Sequence, residues 1–95
     1  MLTHIVLFKL KDKSEDNIQK TKEVLLGLEG KIPFLKFIEV GNDVLHSERS
    51  YDVALYTKFD SLEDMQAYQV HPVHVKVSEH MHAVRETSVS IDYES

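Results

Sequence analysis

Apolar residues near the start of the chain alternate with the two-residue period of a β-strand. Within residues 3–10, the two faces carry His4, Val6, Phe8 and Leu10 on one side and Ile5 and Leu7 on the other. This alternation, with its β-branched and aromatic side chains, predicts a strand. Because apolar side chains occupy both faces, we expect the strand to be central in its sheet and covered on both sides.

Three further segments have strand character, at residues 35–40, 51–59 and 88–93. The first of them is followed by Gly41-Asn42-Asp43, a sequence typical of a turn. The third segment carries two faces of opposite polarity, with Val89, Ile91 and Tyr93 on one and Ser88, Ser90 and Asp92 on the other. Such a pattern predicts a half-exposed strand.

Helical periodicity fills the intervals between these strands. The first helix begins after Ser14, a favourable N-cap, and ends at the Gly and Pro of residues 30–33. A second helix begins at Ser61 and is interrupted at His71, because a residue before proline is disfavoured in the helical conformation. A third helix begins at Pro72. The apolar stripes consist of Ile18, Thr21, Leu25, Leu28 and Ile32 on the first helix and His74, Val77, Met81 and Val84 on the third.

The order strand, helix, strand, strand, helix, strand is that of a ferredoxin-like α+β sandwich, βαββαβ, with its helices on one face of the sheet. We expect residues 1–95 to form a single domain. This arrangement leaves the other sheet face apolar, through Ile5, Leu7, Ala54 and Tyr56. A second copy packed sheet to sheet would cover that face, so the sequence predicts a homodimer, a dimeric α/β barrel.

Composition and charge exclude several classes of function. The chain of 95 residues has no cysteine, which removes disulfides, thiol nucleophiles and Cys-type zinc sites. A net charge of -5 with no cluster of basic residues argues against nucleic-acid binding. The apolar run at residues 5–8 is too short to span a bilayer and no signal peptide is recognised, so no membrane association and a cytoplasmic location are expected.

Six histidines are present, and four of them lie between residues 71 and 82. We expect His46, His80 and His82 to be solvated. His71 and His74 have a spacing that could serve a metal, but no HExxH sequence and no carboxylate at a convincing spacing accompany them. We therefore predict no metal site and assign His71 to the helix junction.

His4 and His74 are the histidines expected to point into the space between sheet and helices. One interpretation is a pair of buried, hydrogen-bonded core residues. The other is a general base, since an apolar environment keeps an imidazole neutral and able to accept a proton near pH 7. Tyr68 could direct its hydroxyl to the same pocket as an oxyanion donor, or could place it at the surface.

Several short segments together resemble the stress-responsive A/B barrel (Dabb) family. They are His4-Ile5-Val6-Leu7-Phe8-Lys9, Ile32-Pro33, Gly41-x-Asp43, Tyr51-Asp52, Phe59-x-Ser61 and Tyr68-x-x-His71-Pro72-x-His74. The last segment is the most specific, and the match spans nearly the whole chain. The resemblance implies a dimer of two ferredoxin-like protomers packed sheet against sheet, in agreement with the homodimer expected from the apolar sheet face.

The resemblance also implies roles for individual residues. In a polyketide cyclase of this family, which performs an aldol condensation without a cofactor, the base is a histidine that matches His74. A tyrosine that matches Tyr68 assists at the substrate carbonyl, and an early-strand histidine matches His4. A further pocket histidine of that enzyme falls at Val53 here, which predicts a more apolar pocket and a different substrate.

Two hypotheses about function follow. The first is a small-molecule binder or cofactor-free enzyme acting on an enolisable, aromatic or polyketide-like carbonyl compound, with His74 as base, Tyr68 as donor and His4 as an orienting group. The second is a non-catalytic stress or structural homodimer in which the histidines complete the core. A cofactor-free monooxygenase is a third alternative, which no feature of the sequence singles out.

Overall fold

A computed structural model describes all residues from Met1 to Ser95. Four antiparallel strands form one sheet in the order β2-β3-β1-β4. Their bounds are Leu2–Leu10 for β1, Phe37–Asn42 for β2, Val53–Phe59 for β3 and Arg85–Glu94 for β4. β1 pairs with β3 and with β4, so it is central in the sheet as its two apolar faces predict.

Three helices pack on one face of this sheet. Their bounds are Glu15–Leu26 for α1, Leu62–Gln69 for α2 and Pro72–Val84 for α3. The side chains of Ser14 and Ser61 cap α1 and α2 by accepting hydrogen bonds from the backbone N–H groups of Asn17 and Asp64. The chain therefore has the ferredoxin-like α+β fold expected from the order of its elements.

The core lies between the sheet and the helices. Along β3 the side chains alternate between buried and half-buried, because Val53, Leu55, Thr57 and Phe59 face the helices. β1 contributes His4, Phe8 and Leu10 to the same side, and α1 adds Leu25. The faces predicted for His4, Phe8, Leu10 and Leu25 are the faces that they occupy.

Several element boundaries differ from the sequence prediction. β3 begins at Val53 instead of residue 51 and β4 at Arg85 instead of residue 88, and α1 and β2 differ as well. α1 ends at Leu26, because the chain turns at Gly27, whose N–H bonds to the carbonyls of Glu23 and Val24 in the manner of a tightened last turn. β2 begins two residues later than expected and includes Gly41 and Asn42, which pair with β3. The ladder continues there because the N–H of Asp43 donates to the carbonyl of Asp52 at 2.9 Å.

The other sheet face carries no helix and exposes apolar side chains. Antiparallel register places Ile5 opposite Tyr56 on β3 and opposite Ile91 on β4. Ile91 is 58% exposed and Val89 45% exposed. We call this surface the open face; its apolar members are Ile5, Leu7, Phe37, Ala54, Tyr56, Val89, Ile91 and Tyr93.

Candidate functional site

A cavity of about 310 Å³ lies between the sheet and α3. Its apolar wall consists of Val6, Phe8, Leu25, Leu28, Leu55, Val77 and Met81. His4 enters it from β1 and His74 from α3, so the alternation of β1 and the periodicity of α3 bring the two imidazoles into one space.

Val53, where the family cyclase has a histidine, is buried in the core outside this cavity wall. The apolar Leu55, two residues further along β3, lines the cavity.

The break between α2 and α3 fixes the orientation of His74. Pro72 has no N–H, and the N–H of Val73 donates to Nδ1 of His71 instead of continuing the helix. The carbonyl of Gln69, at the end of α2, is thereby left to accept a hydrogen bond from Nδ1 of His74 at 2.9 Å. A carbonyl oxygen only accepts, so Nδ1 of His74 holds the proton and Nε2 keeps its lone pair.

Burial makes this imidazole a base rather than a cation. Loss of solvent lowers the pKa of His74 below its ordinary value, the Gln69 carbonyl partly opposes that change, and the nearby His4 adds to it. His74 is therefore neutral at pH 7. A neutral imidazole with a free Nε2 in an apolar cavity is equipped to accept a proton from a bound molecule.

His4 is held in a similar way by a residue that the sequence analysis did not select. Nδ1 of His4 bonds directly to the carboxylate of Asp92, its partner across the β1–β4 ladder. The carboxylate fixes the orientation of the imidazole ring, and Nε2 takes no part in this bond. Such an arrangement is common where a histidine must keep one tautomer. The alternation of β4 was visible in the sequence, but the register that sets Asp92 against His4 was not.

Tyr68 lies behind His74 rather than in the cavity wall. Its ring is fully buried, with its centroid 4.5 Å from that of His74 and 4.7 Å from that of Phe59. Its hydroxyl is buried and has no hydrogen-bond partner in the protein. Burial raises the pKa of Tyr68 well above the ordinary value, so the hydroxyl keeps its proton and remains an unused donor.

The other histidines have separate roles. His71 is the N-cap of α3, as its place before proline predicts. His46 is solvated in the loop between β2 and β3, with a side chain 75% exposed. His82 is exposed, as expected, and it also lines the cavity and accepts a hydrogen bond from Arg85. The expectation for His80 was wrong, because its side chain is half-buried with an unpartnered Nε2.

Comparison with known proteins places this chain in a family. Residues 2–95 match the family described as Stress responsive A/B Barrel Domain. The chain belongs to this family. Over 98 residues it is 26% identical to the stress-response A/B barrel domain-containing protein DABB1 of Arabidopsis thaliana, covering 98% of this chain and 46% of that protein. The A/B barrel chain thus spans about half the length of that relative.

A relative of similar length has a named activity. Olivetolic acid cyclase of Cannabis sativa is 28% identical over 93 residues, which are 95% of this chain and 92% of the cyclase. Among solved structures, a dimeric protein of unknown function with a ferredoxin-like fold from Bacteroides fragilis is 34% identical. The alignment covers 99% of the A/B barrel chain and 95% of the Bacteroides fragilis chain, with a TM-score of 0.84. A structural neighbour of this chain is therefore described as dimeric.

No helix in the chain combines the length and the apolar character that a membrane span requires. No group of three or more histidine, aspartate and glutamate side chains is arranged to hold a metal ion.

Proposed function

We propose that this A/B barrel chain is a cofactor-independent acid–base enzyme that acts on a small enolisable carbonyl compound. The observation that carries the proposal is a cavity entered by two imidazoles. In each of them Nδ1 is bonded to an acceptor and Nε2 takes no part in that bond. Its volume of about 310 Å³ is at the lower end of the range of small-molecule sites. Its apolar wall suits an aromatic or polyketide-like ligand.

In this proposal His74 is the base. Nε2 of His74 removes the proton from the carbon beside the substrate carbonyl, and the electron pair of the broken C–H bond forms an enolate. The enolate carbon then attacks a second carbonyl group of the same molecule, which forms a C–C bond and an alkoxide. The alkoxide takes the proton back from the His74 imidazolium, so the step balances as an aldol closure.

Tyr68 and His4 assist in different ways. The buried Tyr68 ring packs against His74 outside the cavity wall, so in this proposal it holds the base in position and does not contact the ligand. His4, fixed by Asp92, lines the cavity and orients the carbonyl compound. The similarity to a named cyclase supports the same class of chemistry.

The test is exchange of carbon-bound protons. Phenylacetone in heavy water exchanges its activated protons slowly on its own, and NMR follows their loss. We expect the protein to accelerate this exchange, and His74→Gln to reduce the acceleration by about 100-fold or more, the usual contribution of a general base. His46→Gln, a matched change at a solvated histidine, should leave the rate unchanged. Equal rates for wild type and His74→Gln would contradict the proposal.

The pH dependence provides a second check on the same assignment. Because burial lowers the pKa of His74, its base form persists below the pH at which an ordinary histidine becomes protonated. We expect the exchange rate to fall to half of its maximum only below about pH 6.5. A rate that halves above this pH would assign the base to another group.

A non-catalytic homodimeric stress protein is the second candidate, and the open face favours it. Ile91 and its apolar neighbours on the sheet are exposed in a single protomer, and covering them is a sufficient reason for the dimer. A well-folded dimer that neither binds phenylacetone nor accelerates its exchange would support this candidate. Its histidines would then serve packing, and His74→Ala would lower the free energy of unfolding by roughly 1–3 kcal/mol.

A further inference from the structure

Arg85 stands at the opposite end of the cavity from His74. It follows the last residue of α3, begins β4, and pairs with Leu10 at the end of β1. Its side chain lines the cavity together with His82 and Ser88. His82 is exposed, so this end of the cavity opens to solvent. We call it the Arg85 end.

The guanidinium of Arg85 has no carboxylate partner. None of the four ion pairs in the chain includes it. Its side chain makes one hydrogen bond, from Nη2 to Nδ1 of His82 at 2.8 Å. A guanidinium has five N–H donors, so four of them have no partner in the protein. The bond to His82 holds the charged group at the cavity opening without neutralising it.

The cavity wall contains no aspartate or glutamate. This is notable in a chain with 16 acidic and 11 basic residues, excluding histidine. The carboxylate of Asp92 is bonded to His4, about 20 Å along β4 from Arg85. The Arg85 end is therefore a local positive site on an acidic protein, with the hydroxyl of Ser88 beside it.

We propose that the Arg85 end binds the carboxylate of the ligand. The substrate class is then an enolisable carbonyl compound that also carries an acid group, separated from the carbonyl by an apolar body. His74 and His82 are about 12 Å apart along the axis of α3, and Val77 and Met81 form the wall between them. A guanidinium pairs with a carboxylate in a bidentate manner, which fixes both position and direction of the ligand. This inference rests on the function proposed for His74, which acts on the carbonyl end.

Two matched ligands test it, phenylacetone and para-carboxyphenylacetone, with affinities measured by NMR titration of the intact protein. We expect the acid to bind about ten-fold more tightly, the effect of a partly exposed charged hydrogen bond. Arg85→Gln should remove this preference, measured as the ratio of the two affinities in the same variant, while Arg85→Lys should restore part of it. Lys76→Gln makes the same charge change at an exposed position of α3 outside the cavity wall, and should keep the full preference.

The outcomes separate this inference from the proposed function. A preference for the acid that survives Arg85→Gln, or is lost equally in Lys76→Gln, overturns the inference and leaves the base assignment intact. Binding of the acid that depends on Arg85, without His74-dependent proton exchange, supports the anion site and contradicts the proposed chemistry. Absence of binding for both ligands overturns both.

Discussion

At the scale of single residues, the most informative group is the Tyr68 hydroxyl. A buried hydroxyl without a partner destabilises the folded state, because the donor has lost its hydrogen bonds to water and gained none. Proteins retain few such groups, and a catalytic role is one reason to keep one. The Tyr68 ring lies next to the one imidazole whose pKa is lowered by burial.

Tyr68→Phe separates a structural from a functional role. The ring remains, so its packing on Phe59 and His74 is kept, and only the unpaired hydroxyl is lost. We expect the midpoint of urea unfolding to stay the same or to rise and the proton-exchange rate to be kept, because the ring that packs against His74 remains. A fall in rate would show that the hydroxyl contacts the ligand. A variant that is clearly less stable would show that the hydroxyl has a hydrogen-bond partner in the folded protein, and would remove the argument for a free donor.

The residues of the site differ in how far the sequence could reveal them. The periods of β1 and α3 are local properties, so the inward faces of His4 and His74 could be predicted. Asp92 and Arg85 could not, because their positions depend on the register between β1 and β4, strands far apart in the chain. Local patterns determine which face a side chain occupies but do not determine which strand residue lies opposite it.

At the scale of elements, one carboxylate joins β1, the loop that follows it and the start of β3. Asp52 accepts hydrogen bonds from the N–H of Leu10 and from Nζ of Lys13, each at 2.8 Å. Burial alone would raise the pKa of Asp52, but the bonds from Lys13 and Leu10 outweigh it and the pKa lies below the usual value. The ionised carboxylate therefore stabilises the fold.

Asp52→Asn should reduce the free energy of unfolding by about 1–3 kcal/mol, because the charge-assisted bonds weaken. The matched control is Asp60→Asn, whose exposed carboxylate lies 3.9 Å from Lys36 and should contribute under about 1 kcal/mol. Equal losses in the two variants, measured by urea unfolding, would contradict the role assigned to Asp52.

The sign of the pH dependence follows from the lowered pKa. The contribution of Asp52 is complete above the pKa of an unfolded aspartate, near about 3.9, and is lost as pH falls through the lower folded value. Wild type should therefore lose more stability than Asp52→Asn over this acidic interval. A constant difference between the two proteins from pH 5 to pH 2, the interval to be scanned, would show that folding does not lower the pKa of the Asp52 carboxyl.

Element boundaries show where local signals compete with tertiary pairing. Gly41 and Asn42 are typical turn residues, yet both belong to β2, because pairing with β3 supplies hydrogen bonds that a turn would not. The break before Pro72 was predictable, since proline acts through its own covalent structure. The consequence of that break could be seen only in the structure: the Gln69 carbonyl is free to accept a hydrogen bond from His74 and so orients its ring.

At the scale of the whole molecule, the open face determines the expected assembly. We expect a homodimer in which two open faces pack together. Ile91→Glu places a charge on β4 within this face and should shift sedimentation from the mass of a dimer toward that of a monomer, since an unpaired charge is costly to bury. Val44→Glu, at a loop position that is 87% exposed, should leave the mass unchanged. A monomeric wild type at micromolar concentration would refute the dimer.

The sheet is a single layer with the cavity on one side and the open face on the other. His4 and Ile5 are consecutive residues of β1, and their side chains point to opposite sides of it. In the proposed dimer and the proposed ligand complex, β1 contacts both the partner subunit and the ligand, so we expect the two equilibria to be linked. By thermodynamic reciprocity, if dimerisation tightens ligand binding by some factor, the ligand tightens the dimer by the same factor. Ligand affinity in this protein should consequently depend on the protein concentration at which it is measured.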